Sequence, residues 1–406
     1  MSKFYILFLS IFIITNAHAQ NYKIQEKYAQ SKYCTGCHPD QVRDWKTTWH
    51  SKSHTTHNTL YKKTLEFMSK KLYKDSEKLS VECAKCHNPR ISVKKVNKSF
   101  LLAKAFGVES KEVKDVQKAL STDYLKEGIN CIVCHNVDKI NHSKDLLKRG
   151  FDAVEWGPND VMVGPFDSQR TSYHKSVKRD HFNQDVNRLC FVCHYGGENS
   201  HKLPLYTTGK EHEESKSSKK CVDCHMSERK DGVIAPHIQK EGELTKVRGL
   251  RSHLFSGVRN SDIAKEAFDS NLTERGSNLI VTLKNKTPHK VPTGYGGRAL
   301  RVEVIFQEGQ NNFNSIHKDL DVVYLDEKGE LTIPYLAYTI EHDLRLNPSE
   351  EREVVFDIPK NATDAKVVIW YQLVNDALRT LLNITDPIFT KAYQISSQNI
   401  KLKEQP

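Results

Sequence analysis

Hydrophobic and polar positions alternate along the last third of the chain and hardly at all before it. Residues 278–285, 298–307, 320–325, 352–358 and 365–374 place β-branched or aromatic side chains at about every second position, with turn residues between the runs. That period predicts half-buried strands, and five or more short strands in so small a span predict a small antiparallel β-sandwich. Residues 376–395 are expected to add a helix or a return strand. Upstream, 111–127 has the apolar spacing of a helix, and 150–166, with Gly157-Pro158 and Gly164-Pro165, reads as loop. No strand signal precedes about residue 278. The expected fold class is α + β: a mostly helix-and-loop region over 20–265, then a β-sandwich-like domain over 266–406.

The very start has a different pattern. One positive charge, Lys3, precedes a mostly apolar run from Phe4 to Ile14, and small residues follow at Ala17 and Ala19. This reads as a secretory signal peptide, 1–19, cut before Gln20, because the run is too short for a bilayer span of about 20 residues. The expected location is the bacterial periplasm, with no stable membrane span after cleavage.

Composition narrows the class. The 406 residues are 38% hydrophobic and 27% charged, values of a globular chain rather than a disordered or membrane-spanning one. The formal net charge of +11 invites a nucleic-acid reading. However, the excess lies in the first two thirds, with no basic helix to present it, and nucleic acid is not an expected partner.

Cysteine usage changes the picture most. The 10 cysteines form five pairs of one pattern: Cys34 and Cys37 before His38, Cys83 and Cys86 before His87, Cys131 and Cys134 before His135, Cys190 and Cys193 before His194, and Cys221 and Cys224 before His225. An exported chain normally uses paired cysteines for disulfides. C-x-x-C-H is instead the attachment signature of c-type haem, whose vinyl groups take the two thiols while the histidine binds the iron from one side. Zinc half-sites do not require that histidine, and redox dithiols do not come in fives. Five covalent haems c are therefore expected, and the porphyrins must supply much of the hydrophobic mass that the short inter-motif segments lack.

Chemistry at each iron depends on its opposite face. Outside the motifs and the β-rich region, His50, His54, His57, His142, His174, His181, His201, His212, His237 and His253 are candidates, whereas Met68, Met162 and Met226 are the only methionines after the first. Bis-histidine ligation should dominate, favouring low potentials. His289 reads as a turn or domain contact rather than a ligand, and the lysines of 216–220 as solvated loop.

These residues resemble a known family. Trp45-Lys-Thr-Thr-Trp-His50 after the first motif is similar to a ligand stretch of the tetrahaem cytochrome c-554 family. The Gly128-Ile-Asn lead into the third motif with His142 beyond it, Tyr173-His174, and Arg251-Ser-His253-Leu-Phe255 follow in that family's order. His289-Lys-Val-Pro-Thr-Gly294 resembles the stretch that opens a C-terminal β-domain in larger multihaem cytochromes. The resemblance implies distal ligand roles for His50, His142, His174 and His253, and leaves the haem of Cys83, Cys86 and His87 as the one open to ligands. The chain departs from the family in carrying five motifs rather than four.

Two functions follow. The first is an electron-transfer protein in an anaerobic or respiratory chain, serving other redox proteins or a quinol-oxidising membrane complex, with a homo-oligomer through the β-domain as a further expectation. No catalytic residues are assigned in that reading. The alternative is an oxidoreductase acting on a small nitrogen or sulfur compound at one five-coordinate haem. A C-x-x-C-K motif, the mark of pentahaem nitrite reductases, is absent.

Overall fold

The computed structural model describes residues 26–403 apart from 168, 171–172, 228, 239–245 and 310. The expected signal peptide lies outside the described residues. No described helix is long and apolar enough to cross a membrane.

The described residues up to 265 are short helices joined by loops and small ribbons. Local chemistry sets the helix starts: Asn58, Asp75, Asn97 and Ser110 each accept backbone N–H bonds at the head of the helices Thr59–Leu72, Ser76–His87, Lys98–Ala105 and Lys111–Ser121. Three of these close around a core of Val81, Ala84, Phe100, Val113 and Val116. The helix expected over 111–127 is present but breaks at Thr122 into Lys111–Ser121 and Asp123–Lys126. The segment read as loop, 150–166, contains the short strands Val154–Trp156 and Val161–Gly164.

The strand-rich part is antiparallel throughout. Its strands are β1 Phe268–Arg275, β2 Asn278–Asn285, β3 Ala299–Glu308, β4 Asn311–Leu320, β5 Val322–Leu325, β6 Thr339–Asp343, β7 Glu351–Asp357, β8 Asp364–Gln372 and β9 Ala392–Lys401. One sheet has the order β1-β2-β7, the other β4-β3-β8-β9, and β5 pairs with β6. The inward residues of both sheets, Leu279, Val281 and Leu283 from one and Val302, Val304, Phe306, Val367 and Ile369 from the other, share a single apolar core, as a sandwich requires. The fold is thus the expected α + β arrangement, helical first and strand-rich after.

Hydrogen bonds tie the halves together. Thr59 Oγ1 donates to Asp386 Oδ2 at 2.7 Å, and the buried Glu211 accepts from Lys290 N at 2.9 Å and Thr293 Oγ1 at 2.7 Å. An apolar cluster built on Ile333, Val374 and Leu378 also takes in Leu60, Phe67 and Met68 from the helix Thr59–Leu72.

Candidate haem-binding site

The motifs sit at helix ends. Those of Cys131 and Cys221 are helices in themselves, those of Cys83 and Cys190 are the last turns of Ser76–His87 and Val186–His194, and His38 caps the helix Pro39–Lys46. Where the motif is helical, an i, i+3 pair of thiols and the histidine at i+4 share one helix face, the geometry needed to hold one planar group by its edge and its centre.

Four of the five motif histidines are fixed in orientation by a backbone carbonyl. Nδ1 lies 2.9 Å from Ile234 O in His38, 3.3 Å from Ser53 O in His87, 2.8 Å from Val163 O in His135 and 2.7 Å from Ser256 O in His225. A carbonyl accepts only from a protonated Nδ1, which leaves the Nε2 lone pair free for a metal.

Four of the five motif rings face a second histidine. Ring centroids are 6.4 Å apart for His38 and His174, 6.0 Å for His194 and His50, 6.1 Å for His135 and His253, and 6.4 Å for His225 and His289. Two imidazoles bound by nitrogen on opposite sides of one metal, at bonds of about 2.0–2.1 Å, put their centroids roughly 6 Å apart. The residues present therefore fit a bis-histidine metal plane in four places. Burial pushes the pKa of His50 down to about 3, with His194 and His225 adding to the effect. It also lowers His194 and His253 to about 4, and His38, His135 and His289 move in the same direction. A neutral imidazole is the form that binds metal.

The fifth motif histidine has different company. The phenol ring of Tyr61 stacks on His87 at 4.3 Å and 17°. Tyr61 and Tyr335 lie half-buried beside Cys83, and the Tyr295 hydroxyl is buried near Tyr335. Arg149 reaches the same surroundings, donating to the Tyr206 hydroxyl at 2.7 Å, which in turn donates to Cys193 O at 2.8 Å.

Thiols of different motifs meet as well. Cys34 lies in hydrogen-bonding contact with Cys131, Cys86 with Cys193, and Cys190 with Cys221, while Cys134 lies near Cys190 and Cys193. None of the 10 is joined in a disulfide, Cys37 and Cys224 included. The third motif therefore neighbours the first and fourth, and the fourth neighbours the second and fifth.

Of the distal candidates, the structure brings His50, His174 and His253 opposite motif histidines. His142 is not among the ring pairs of the described residues; it is half-buried and its backbone N–H bonds Ala153 O. His289, read from sequence as a turn contact, stands opposite His225 instead. Its Nδ1 is held 2.9 Å from Lys290 O. The signal for it was the 289–294 stretch itself, which lies in the loop between β2 and β3 beside the fifth motif.

Comparison with known proteins agrees with this geometry. The family described as cytochrome c554 and c-prime matches residues 33–136, which hold the first three motifs. No curated protein matches the chain. The fold is shared with a penta-heme cytochrome c552 from Thermochromatium tepidum, at a TM-score of 0.68 and 19% identity over 92% of this chain and 98% of that one. Five complete attachment motifs thus lie on a fold shared with a penta-heme cytochrome, and the first three fall in a segment similar to the cytochrome c554 and c-prime family.

Proposed function

We propose that the protein carries five covalent haems c, on Cys34/Cys37, Cys83/Cys86, Cys131/Cys134, Cys190/Cys193 and Cys221/Cys224, and passes electrons between redox partners in the periplasm. His38, His87, His135, His194 and His225 are the proximal ligands; His174, His253, His50 and His289 are the distal ligands of the first, third, fourth and fifth. The observation that carries this reading is the set of four histidine pairs at 6.0–6.4 Å. Haem in such a setting supplies reversible one-electron chemistry, and bis-histidine ligation holds its potential low. The chain's own contribution is to keep the imidazoles neutral, oriented and dry. The thiol contacts support a row from first to third to fourth to fifth motif, with the second branching from the fourth. Other periplasmic redox proteins or a quinol-oxidising membrane complex are the partners this reading calls for.

A second reading is favoured by one observation: among the described residues no second histidine ring faces His87, and Tyr61, stacked on the imidazole at 4.3 Å, is too close for a haem plane to lie between the two rings. It makes the second haem open on one side, with Tyr61, Tyr335 and Arg149 near enough to handle protons and anions for a small nitrogen or sulfur compound.

Pyridine haemochrome analysis with a mass measurement tests the haem number, and electron paramagnetic resonance of the oxidised protein tests ligation. About five haems per chain, four low-spin and one high-spin, are expected. Three or fewer haems, or a majority of high-spin irons, would overturn the proposal. Turnover of nitrite or hydroxylamine by the wild-type protein would make the second reading the better one.

A further inference from the structure

We infer that the surface beside the junction of the fourth and fifth motifs, formed by the lysine-rich loop 216–220 and the cleft next to it, is the docking site for an acidic electron-transfer protein. The inference rests on the carrier reading above. Lys216, Lys219 and Lys220 lie within five residues that contain no acid and run directly into Cys221. Lys216 and Lys219 are exposed. Lys220 turns back, its Nζ bonding Asn183 O and Gln184 O, which anchors the loop against the segment that leads into the fourth motif.

Behind the loop is a cleft of about 290 Å³ lined by Lys144, Arg188, Lys216, Asp185, Glu213 and Phe191. Phe191 belongs to the fourth motif, so the cleft floor is the haem-attachment helix itself. Of the acids nearby, Glu213 takes Lys144 and the Tyr195 hydroxyl, and Asp223 takes Arg251 and the Lys220 backbone N–H; Asp185 and Glu214 are exposed, but Lys144, Arg188, Lys216, Lys219 and Lys220 outnumber Asp185, Glu213 and Glu214 on this face. The outward charge is positive where the thiols of Cys190 and Cys221 meet, at an end of the motif row. Charge patches of this kind steer encounter and set partner choice, and they are screened by salt.

The test uses the holoprotein, reduced and mixed in a stopped-flow instrument with two acceptors of similar size and opposite charge: oxidised plastocyanin, which is acidic, and mitochondrial cytochrome c, which is basic. The variant K216E/K219E should slow reduction of plastocyanin at least fivefold at low ionic strength and leave that of cytochrome c no slower. The difference should vanish near 0.5 M salt, and the control K360E/K401E, exposed lysines of the strand-rich region, should keep the wild-type rates. Haem content and visible spectra of both variants serve as the folding check. A variant with intact haems that slows neither acceptor, slows both equally, or matches the control refutes the docking site while the carrier reading stands. A wild-type protein that reduces neither acceptor refutes both.

Discussion

The imidazole of His289, from the loop between β2 and β3, lies 6.4 Å from that of His225 with the two planes 23° apart. A fold in which the second region were only an attachment would not need this. On the proposed haem assignment the strand-rich region delivers a ligand to the last haem, and Glu211, bonded to Lys290 N and Thr293 Oγ1, holds the delivering segment in place. Replacing His289 by Gly should convert one haem to high spin and open it to carbon monoxide, with the other haems unchanged. An unaltered spectrum would remove His289 from the ligand set.

His142 gives the opposite expectation. It follows the third motif at the spacing that made it a candidate, yet the ring opposite His135 is His253, at 6.1 Å. His142→Ala should leave every haem band in place and change stability by no more than about 0.5 kcal/mol, as a half-buried residue outside any network does. A new high-spin signal in that variant would reinstate it as a ligand.

This pair shows what sequence could and could not disclose. The attachment motifs are local: cysteines and histidine lie within five residues, so spacing alone carried the chemistry. The histidines that face one another are 64 to 144 positions apart, from His225 with His289 to His50 with His194, and order along the chain does not say which ring a histidine will meet. The sandwich was legible where strands are buried on one face, as in β2, β3 and β8. β1, β4 and β9, which alternation did not single out, are edge strands of their sheets. An edge strand such as Asn311–Leu320 carries polar residues on both faces, which erases the period of two.

Gly150 is a packing requirement of the second motif. Its φ is +61°, and a Cβ there would stand 1.8 Å from the carbonyl oxygen of Lys85, which lies between Cys83 and Cys86. Backbone cannot yield as a flexible side chain would. Gly150→Ala should therefore destabilise the protein by about 2–3 kcal/mol, seen as a lower denaturation midpoint, and perturb the haem on His87 before any other. Gly276→Ala, at a similar φ of +60° but with open space around the added carbon, separates strain from collision and should cost only about 1 kcal/mol. Equal losses for the two variants would show that the contact with Lys85 is not the cause.

Acid sensitivity should concentrate on Asp343, at the end of β6. Burial alone would raise its pKa, but its carboxylate accepts Arg345 Nε at 2.8 Å, Arg345 Nη2 at 2.7 Å and Lys290 Nζ at 2.8 Å, and these cations hold it well below the ordinary value. Arg345 is 6% exposed, so removing its partner leaves a buried charge. A depressed folded-state pKa contributes stability in full above the unfolded value of about 3.9 and loses it as pH falls toward the folded one. Asp343→Asn should thus cost about 2–3 kcal/mol at pH 7, below the range for a fully buried pair because the carboxylate keeps some solvent contact. The gap between variant and parent should stay constant from pH 7 to about 5 and close below about pH 4. Because Lys290 follows His289 directly, the same substitution should also raise the high-spin fraction that His289→Gly produces in full. Denaturation midpoints across pH 3–7, taken with spectra at each point, check both, and a variant as stable as its parent at pH 7 would mean that the Arg345 and Lys290 contacts contribute nothing.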